Sequence, residues 1–273
     1  MNRPMPAAAD NLRWGPGPGS QRIFLGVSAV LFVASATATV LWCLSMSDMG
    51  EIPMPGGWMM SMMWMPMCEQ TWLDAAASFL GMWIVMMVAM MLPALMPMLW
   101  RYRQAIAGAG GTRTGWLTLL VGIGYFTVWA VIGLAVFPAG AVIAAAGTQM
   151  PQLASVVPVA AGAVVLVAGV LQFSGWKARH LTCCRAAPAG SRAMSADART
   201  AWQHGLRLGL HCSCSCAGLT AILLVLGMMD LRAMIVVMAA ITAERLAPVG
   251  AGAVRAVGVI AVCSGLFLIL RAI

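Results

Sequence analysis

Residues 79–98 read FLGMWIVMMVAMMLPALMPM, twenty positions without a charged side chain. A helix needs roughly 20 consecutive apolar residues to cross a bilayer, and this run supplies them. It belongs to an apolar stretch at 73–100. Further stretches lie at 23–44, 116–137, 153–174, 208–229, 231–247 and 254–272, the sixth in chain order (231–247) being short. The composition agrees: 62% of the residues are hydrophobic, 9% are charged and the mean hydropathy is +0.90, against about 25% charged residues in a soluble domain. A β-barrel is excluded because the runs are continuous and rich in Ala, Leu and Met, with no alternation of apolar and polar residues. The expectation is an all-α polytopic membrane protein of about seven transmembrane helices.

The stretch at 23–44 is longer than the apolar core of a signal peptide and follows too long a leader, so it is expected to remain as a helix. Residues 1–22 are rich in Pro and Gly and have no apolar face. They are expected to be a disordered cytoplasmic tail before a helical domain at 23–273.

Basic residues collect on the cytoplasmic side of membrane proteins. With the N-terminus inside, fourteen of the sixteen Lys and Arg fall on inner segments, and only Arg232 and Arg271 fall outside. Four of the eight acids, Asp48, Glu51, Glu69 and Asp74, lie on or beside the outer loop at 45–71. The chain is therefore expected to lie N-in and C-out across the cell (inner) membrane. Its net charge of +8 is an orientation signal and an attraction to anionic lipid. No basic patch is interleaved with aromatics, so nucleic acid is not an expected partner.

Methionine is concentrated. Of 24 residues, nine lie between Met46 and Met67 and seven between Met82 and Met98. The outer loop reads SMSDMGEIPMPGGWMMSMMWMPMCEQ at 45–70. Thioether sulfur is a soft ligand suited to Cu(I), so Met59, Met60, Met62, Met63, Met65 and Met67 are candidate ligands, with Trp58 and Trp64 placed to shield an ion. The alternative is a loop that lays Met and Trp on the lipid headgroups. Met82, Met86 and Met90, with Met87 and Met91 beside them, form one helical stripe. Packing explains such a stripe, and a path of sulfurs through the membrane is the other reading. Pro93 and Pro97 follow and should kink or loosen that helix.

Cysteine and histidine gather elsewhere. The inner loop at 175–207 holds His180, Cys183, Cys184 and His204, and the next helix opens with His211, Cys212, Cys214 and Cys216. In a reducing compartment such groups bind metal or do redox chemistry more often than they form disulfides. On a regular helix Cys212 and Cys216 share a face and Cys214 points about 160° away, so all three meet only if the turn unwinds. Packing by small helix-contact residues is the competing explanation. Glu244, at the inner end of its helix, either pairs with Arg245 or snorkels, or else balances charge or moves protons at the metal site. Cys43 and Cys68 both fall at the outer surface, where a disulfide between them is conceivable.

The stretches Phe79–Met98, Gly124–Trp129 (GYFTVW), Gln172–Arg185 and His204–Pro248 (HGLRLGLHCSCSC, GMMDL, AERLAP) resemble the DUF2182 family of predicted metal-binding integral membrane proteins, also labelled copper chaperones. The resemblance implies a seven-helix membrane protein with a metal site. Members carry Cys-x3-Cys in the inner loop where this chain has His180 and Cys184. They carry Cys-x2-Cys-Cys in the fifth helix where this chain has Cys212, Ser215 and Cys216, with Cys214 one position early. The number of ligands is kept and their geometry changes.

Together these readings predict a membrane protein that binds or passes a soft metal ion, Cu(I) first and zinc second. The methionine loop would collect the ion, and one inner site of His180, Cys184, Cys212 and Cys216 would receive it, with His211 or Cys214 as a further ligand. Its partners would be the lipid bilayer and a metal-donor or acceptor protein or a larger membrane complex. A membrane thiol oxidoreductase and a structural subunit of a larger enzyme are the alternatives, the first disfavoured by the lack of a Cys-x-x-Cys. No Walker, Gly-x-Ser-x-Gly or His-Glu-x-x-His motif is present, so an enzyme, and an ATP-driven pump in particular, is not expected.

Overall fold

A computed structural model describes residues 18–48, 51–55, 57–66, 70–106, 111–185, 196–246 and 252–273. Among these residues there are eight α-helices: α1 (Pro18–Asp48), α2 (Trp72–Ala105), α3 (Gly111–Gln149), α4 (Pro151–Leu171), α5 (Gly175–Arg185), α6 (Ala198–Leu226), α7 (Leu231–Leu246) and α8 (Gly252–Ala272). Six of them, α1 to α4, α6 and α8, are long and apolar enough to cross a bilayer. This is a multi-pass membrane protein. Its apolar side chains also face outward, with Val30, Ile235 and Leu270 all at least 60% exposed, as expected where the solvent is lipid.

The helices outrun the apolar stretches that predicted them, because backbone hydrogen bonding continues after hydropathy falls. Residues 18–22 open α1 instead of closing the tail, helped by a proline at the first helical position, where its missing N–H is no loss. The rest of the tail, residues 1–17, lies outside the described residues. Part of the inner loop is also helical, since α5 and the first ten residues of α6 both fall within 175–207. Thr71 and Asp74 cap α2 reciprocally: the Thr71 hydroxyl accepts from the Asp74 backbone at 3.2 Å, and the Asp74 carboxylate accepts from the Thr71 backbone at 3.1 Å. This helix continues unbroken through Pro93 and Pro97.

Contacts fix the directions of the helices. Arg103 donates to Ser20 at 2.7 Å, and Phe24 meets Trp100 with ring centroids 5.7 Å apart. The start of α1 therefore lies beside the end of α2. Tyr102 stacks on His204 at 5.4 Å, which brings the start of α6 to the same end. α3 and α6 run parallel through a Gly205-x-x-x-Gly209 pair, a spacing that lets helix backbones approach closely. A Cβ on Gly209 would sit 2.8 Å from the Tyr125 carbonyl oxygen. α4 and α8 run antiparallel, with Gly162 against Ile269 and Gly169 against Val262.

The helix α7 has only sixteen residues, about 24 Å at 1.5 Å per residue. Just before it, Met229 touches Cys43 near the end of α1, with sulfurs 3.8 Å apart. At its other end Arg245 reaches Met98 and Cys184. It therefore runs between the two ends of the bundle. The methionine stripe of α2 is interior: Met82, Met86, Met87, Met90 and Met91 are all buried, around Trp83 and Leu95.

Candidate metal centre

At the methionine end, the predicted loop is in part an antiparallel hairpin, β1 (Glu51–Met54) with β2 (Trp58–Ser61), followed by a 3-10 turn at Met62–Trp64. It lies on the ends of α3 and α4. Met54 and Met60 are buried against Ala144 and Ala154, and the Trp58 indole donates to the Ala154 carbonyl at 2.9 Å. Trp64 packs on Phe79 at 5.4 Å. The two tryptophans thus seat the hairpin on the helices. Of the six candidate methionines, Met59 is exposed, Met63 and Met65 are half-buried, and Met60 is a core residue at 2% exposure. The side chain of Met62, and Met67 altogether, lie outside the described residues. So does Cys68, and with it the proposed disulfide to Cys43, which is a buried free thiol.

At the cysteine end α6 is a continuous helix through 212–216. Cys212 and Cys216 are buried on its inner face, while Cys214 is only half-buried on another face. With no unwinding, the three thiols of Cys-x-Cys-x-Cys do not converge. The third thiol at the centre is Cys184, 1% exposed, supplied by α5.

Arg245 stands among these sulfurs. Its Nη2 lies 3.6 Å from Cys216 Sγ, 3.9 Å from Cys184 Sγ and 3.3 Å from Ser215 Oγ, and its Nη1 lies 3.9 Å from Met98 Sδ. On the far side the Tyr125 hydroxyl is 2.7 Å from Cys212 Sγ. Burial pushes the Cys184 thiol above its ordinary range, and the guanidinium of Arg245 opposes that shift. The serine that replaces a thiol of the resembled pattern, Ser215, therefore bonds the arginine and sits 3.7 Å from Cys216.

Glu244 forms a buried ion pair with Lys177 at 2.7 Å, and Lys177 also donates to Gln172 at the end of α4. This pair ties α5 to α7 and so positions Cys184.

His180 turns to His211, with the two Nδ1 atoms 3.2 Å apart and Trp176 edge-on to His180 at 4.8 Å. Among the described residues no three His, Cys, Asp or Glu side chains are arranged to hold an ion together. A cavity of about 90 Å³ lies beside the sulfur cluster, lined by Met98, Arg101, Cys183, Cys184, His204, Arg207, Leu208 and His211. Cys183 is exposed. Sequence reasoning missed Arg245, Tyr125, Met98 and Lys177 as parts of the centre. Arg245 and Lys177 were legible only as two of the basic residues on inner segments.

No curated protein and no solved structure matches the chain. The PpoB2 family model, described as a copper chaperone, matches residues 80–268, which include α6, α7, Cys184 and Arg245. On that match, which spans more than half of its length, the chain belongs to the PpoB2 copper chaperone family.

Proposed function

We propose that this protein binds Cu(I) as its cargo between Cys212 and Cys216, with the sulfurs of Cys184 and Met98 close by and Arg245 as counter-ion. The observation that carries the proposal is that Met98, Cys184 and Cys216, from α2, α5 and α6, set a thioether and two thiols around one buried guanidinium, with Cys212 buried one helical turn before Cys216. Two thiolates and Cu(I) sum to a charge of −1, and Arg245 brings the cluster to neutrality in a setting where net charge is costly. Soft sulfur favours Cu(I), and the close pair on one helix face suits an ion content with few ligands, whereas structural zinc takes four.

α7 reaches from one end of the bundle to the other, which supports seven crossings. The clustering of basic residues supports N-in and C-out in the cell membrane. On that orientation the hairpin faces outward as a collector, with Met59, Met63 and Met65 as its available sulfurs. The test is copper stoichiometry by mass spectrometry after anaerobic Cu(I) loading of the detergent-purified protein. Wild type should carry copper that Cys212→Ser/Cys216→Ser loses. A wild type without copper, or a double variant that keeps all of it, overturns the proposal.

A further inference from the structure

The cavity beside the sulfur cluster has a charge of the wrong sign for a bare metal cation. Arg101 and Arg207 lie on its exposed edge, with Cys183 beside them, and Cys184 and Leu208 are buried at its floor. Arg207 is near enough to act electrostatically on His204, which also lines the cavity. Behind the floor stands Arg245, 3.9 Å from Cys184. Among the described residues the acids of this layer are Asp197, which acts electrostatically on Tyr102, and Glu244, which is ion-paired to Lys177. Against these two stand Arg101, Arg207, Lys177 and Arg245, so cations prevail around an opening that carries soft ligands.

We infer that the cavity receives Cu(I) as an anionic thiolate complex, the ion already held between two thiolates of a donor. This rests on the proposed Cu(I) site and names the form in which cargo reaches it from the inner end, a route separate from the outward hairpin. A bis-thiolate complex of Cu(I) carries −1 at the metal and is drawn to the guanidinium edge, where a bare cation is repelled. The volume of about 90 Å³ admits the metal and the sulfur ends of the donor, leaving the remainder outside.

Cys184 links the two compartments, since it forms part of the cavity wall and also contacts Arg245. The transfer is a ligand exchange without change of oxidation state. A protein thiol loses its proton and bonds to copper, one Cu–S bond to the donor breaks, and the departing donor thiolate takes that proton and leaves as a thiol. A second exchange leaves Cu(I) between two protein thiolates and releases two donor thiols. The charge stays at −1 throughout, and Arg245 is in place to balance it at the end.

The experiment compares two donors under anaerobic conditions with the detergent-purified full chain: Cu(I) complexed by excess glutathione, and tetrakis(acetonitrile)copper(I), a cation. The readout is the ratio of initial loading rates, anionic over cationic donor, followed by thiolate-to-copper absorbance. Arg101→Gln/Arg207→Gln should lower that ratio about tenfold or more, the scale of electrostatic steering, and Arg101→Lys/Arg207→Lys should largely restore it. A ratio that stays at the wild-type value in the Gln pair overturns the inference. So does a wild type that loads from the cation and not from the thiolate complex, while leaving the Cu(I) site standing. A wild type that loads from neither donor refutes the Cu(I) site itself.

Discussion

Removing the positive charge of Arg245 should weaken Cu(I) binding, and the structure sets the scale. The guanidinium lies 3.6 Å from Cys216 Sγ and 3.9 Å from Cys184 Sγ. Taking the charge of a loaded dithiolate cluster to be centred about 5 Å from the guanidinium, at an effective dielectric constant of about 20, the attraction is about 3 kcal/mol. That corresponds to roughly a hundredfold in dissociation constant. Arg245→Met keeps a long apolar side chain and removes the charge, whereas Arg245→Lys keeps the charge and loses the planar fork that reaches Ser215 and three sulfurs at once. The assay is competition against a chromogenic Cu(I) chelator in detergent at fixed pH. The Met variant should lose about two orders of magnitude in affinity, and the Lys variant should fall between it and wild type. Unchanged affinity in Arg245→Met would show that the guanidinium does not balance the loaded cluster. Tighter binding would show that it competes with the ion for the same sulfurs, and either result refutes the reasoning.

Other residues give sharper separations. His180→Ala should leave most of the tightly bound copper in place, because His180 faces His211 and not the buried thiols; a loss equal to that of Cys212→Ser/Cys216→Ser, measured by copper stoichiometry, would restore the single four-ligand site. Met60→Ala should destabilise by about 2–5 kcal/mol as a buried truncation, while Met59→Ala, at a position 52% exposed, should change little; equal melting shifts in detergent would contradict the hairpin packing. Glu244→Gln should cost about 3–5 kcal/mol by leaving Lys177 buried without its carboxylate, and Lys177→Met in the same chain should recover part of that loss. An additive double variant in denaturant titration would show that the ion pair does not couple α5 to α7.

The spanning helices were legible because hydropathy acts over many residues and tolerates errors at single positions. Their ends were not, because hydrogen bonding along a helix does not stop where the lipid does. α5 was hidden for the opposite reason. GWKARHLTCCR carries three basic side chains and a histidine and gives no membrane signal, yet its helix lies against α6 and buries Lys177, Leu181 and Cys184. The face shared by Cys212 and Cys216, and the divergence of Cys214, followed from helical geometry alone. The place of Cys184 beside them depends on α5 being held by Lys177, Glu244 and Gln172 across three helices, and no local pattern encodes such a contact. The methionines show the same limit: a soft ligand and a flexible core residue are one side chain, and only burial separates Met60 from Met59.

Buried charge explains why the sulfur cluster takes this form. Ionised side chains taken out of water cost several kcal/mol each unless paired, and this layer buries Lys177, Glu244 and Arg245 together. The Lys177–Glu244 pair serves to hold α5 against α7. Arg245 is directed at the sulfurs of Cys184 and Cys216. A dithiolate cluster keeps its negative charge beside this guanidinium when the ion is bound, so occupancy stabilises the helix contacts around it. A carboxylate at position 245 would reverse this, adding to the negative charge of the dithiolate. The sign of that one side chain ties the centre to an ion whose thiolate complex is anionic, as the complex of Cu(I) with two thiolates is.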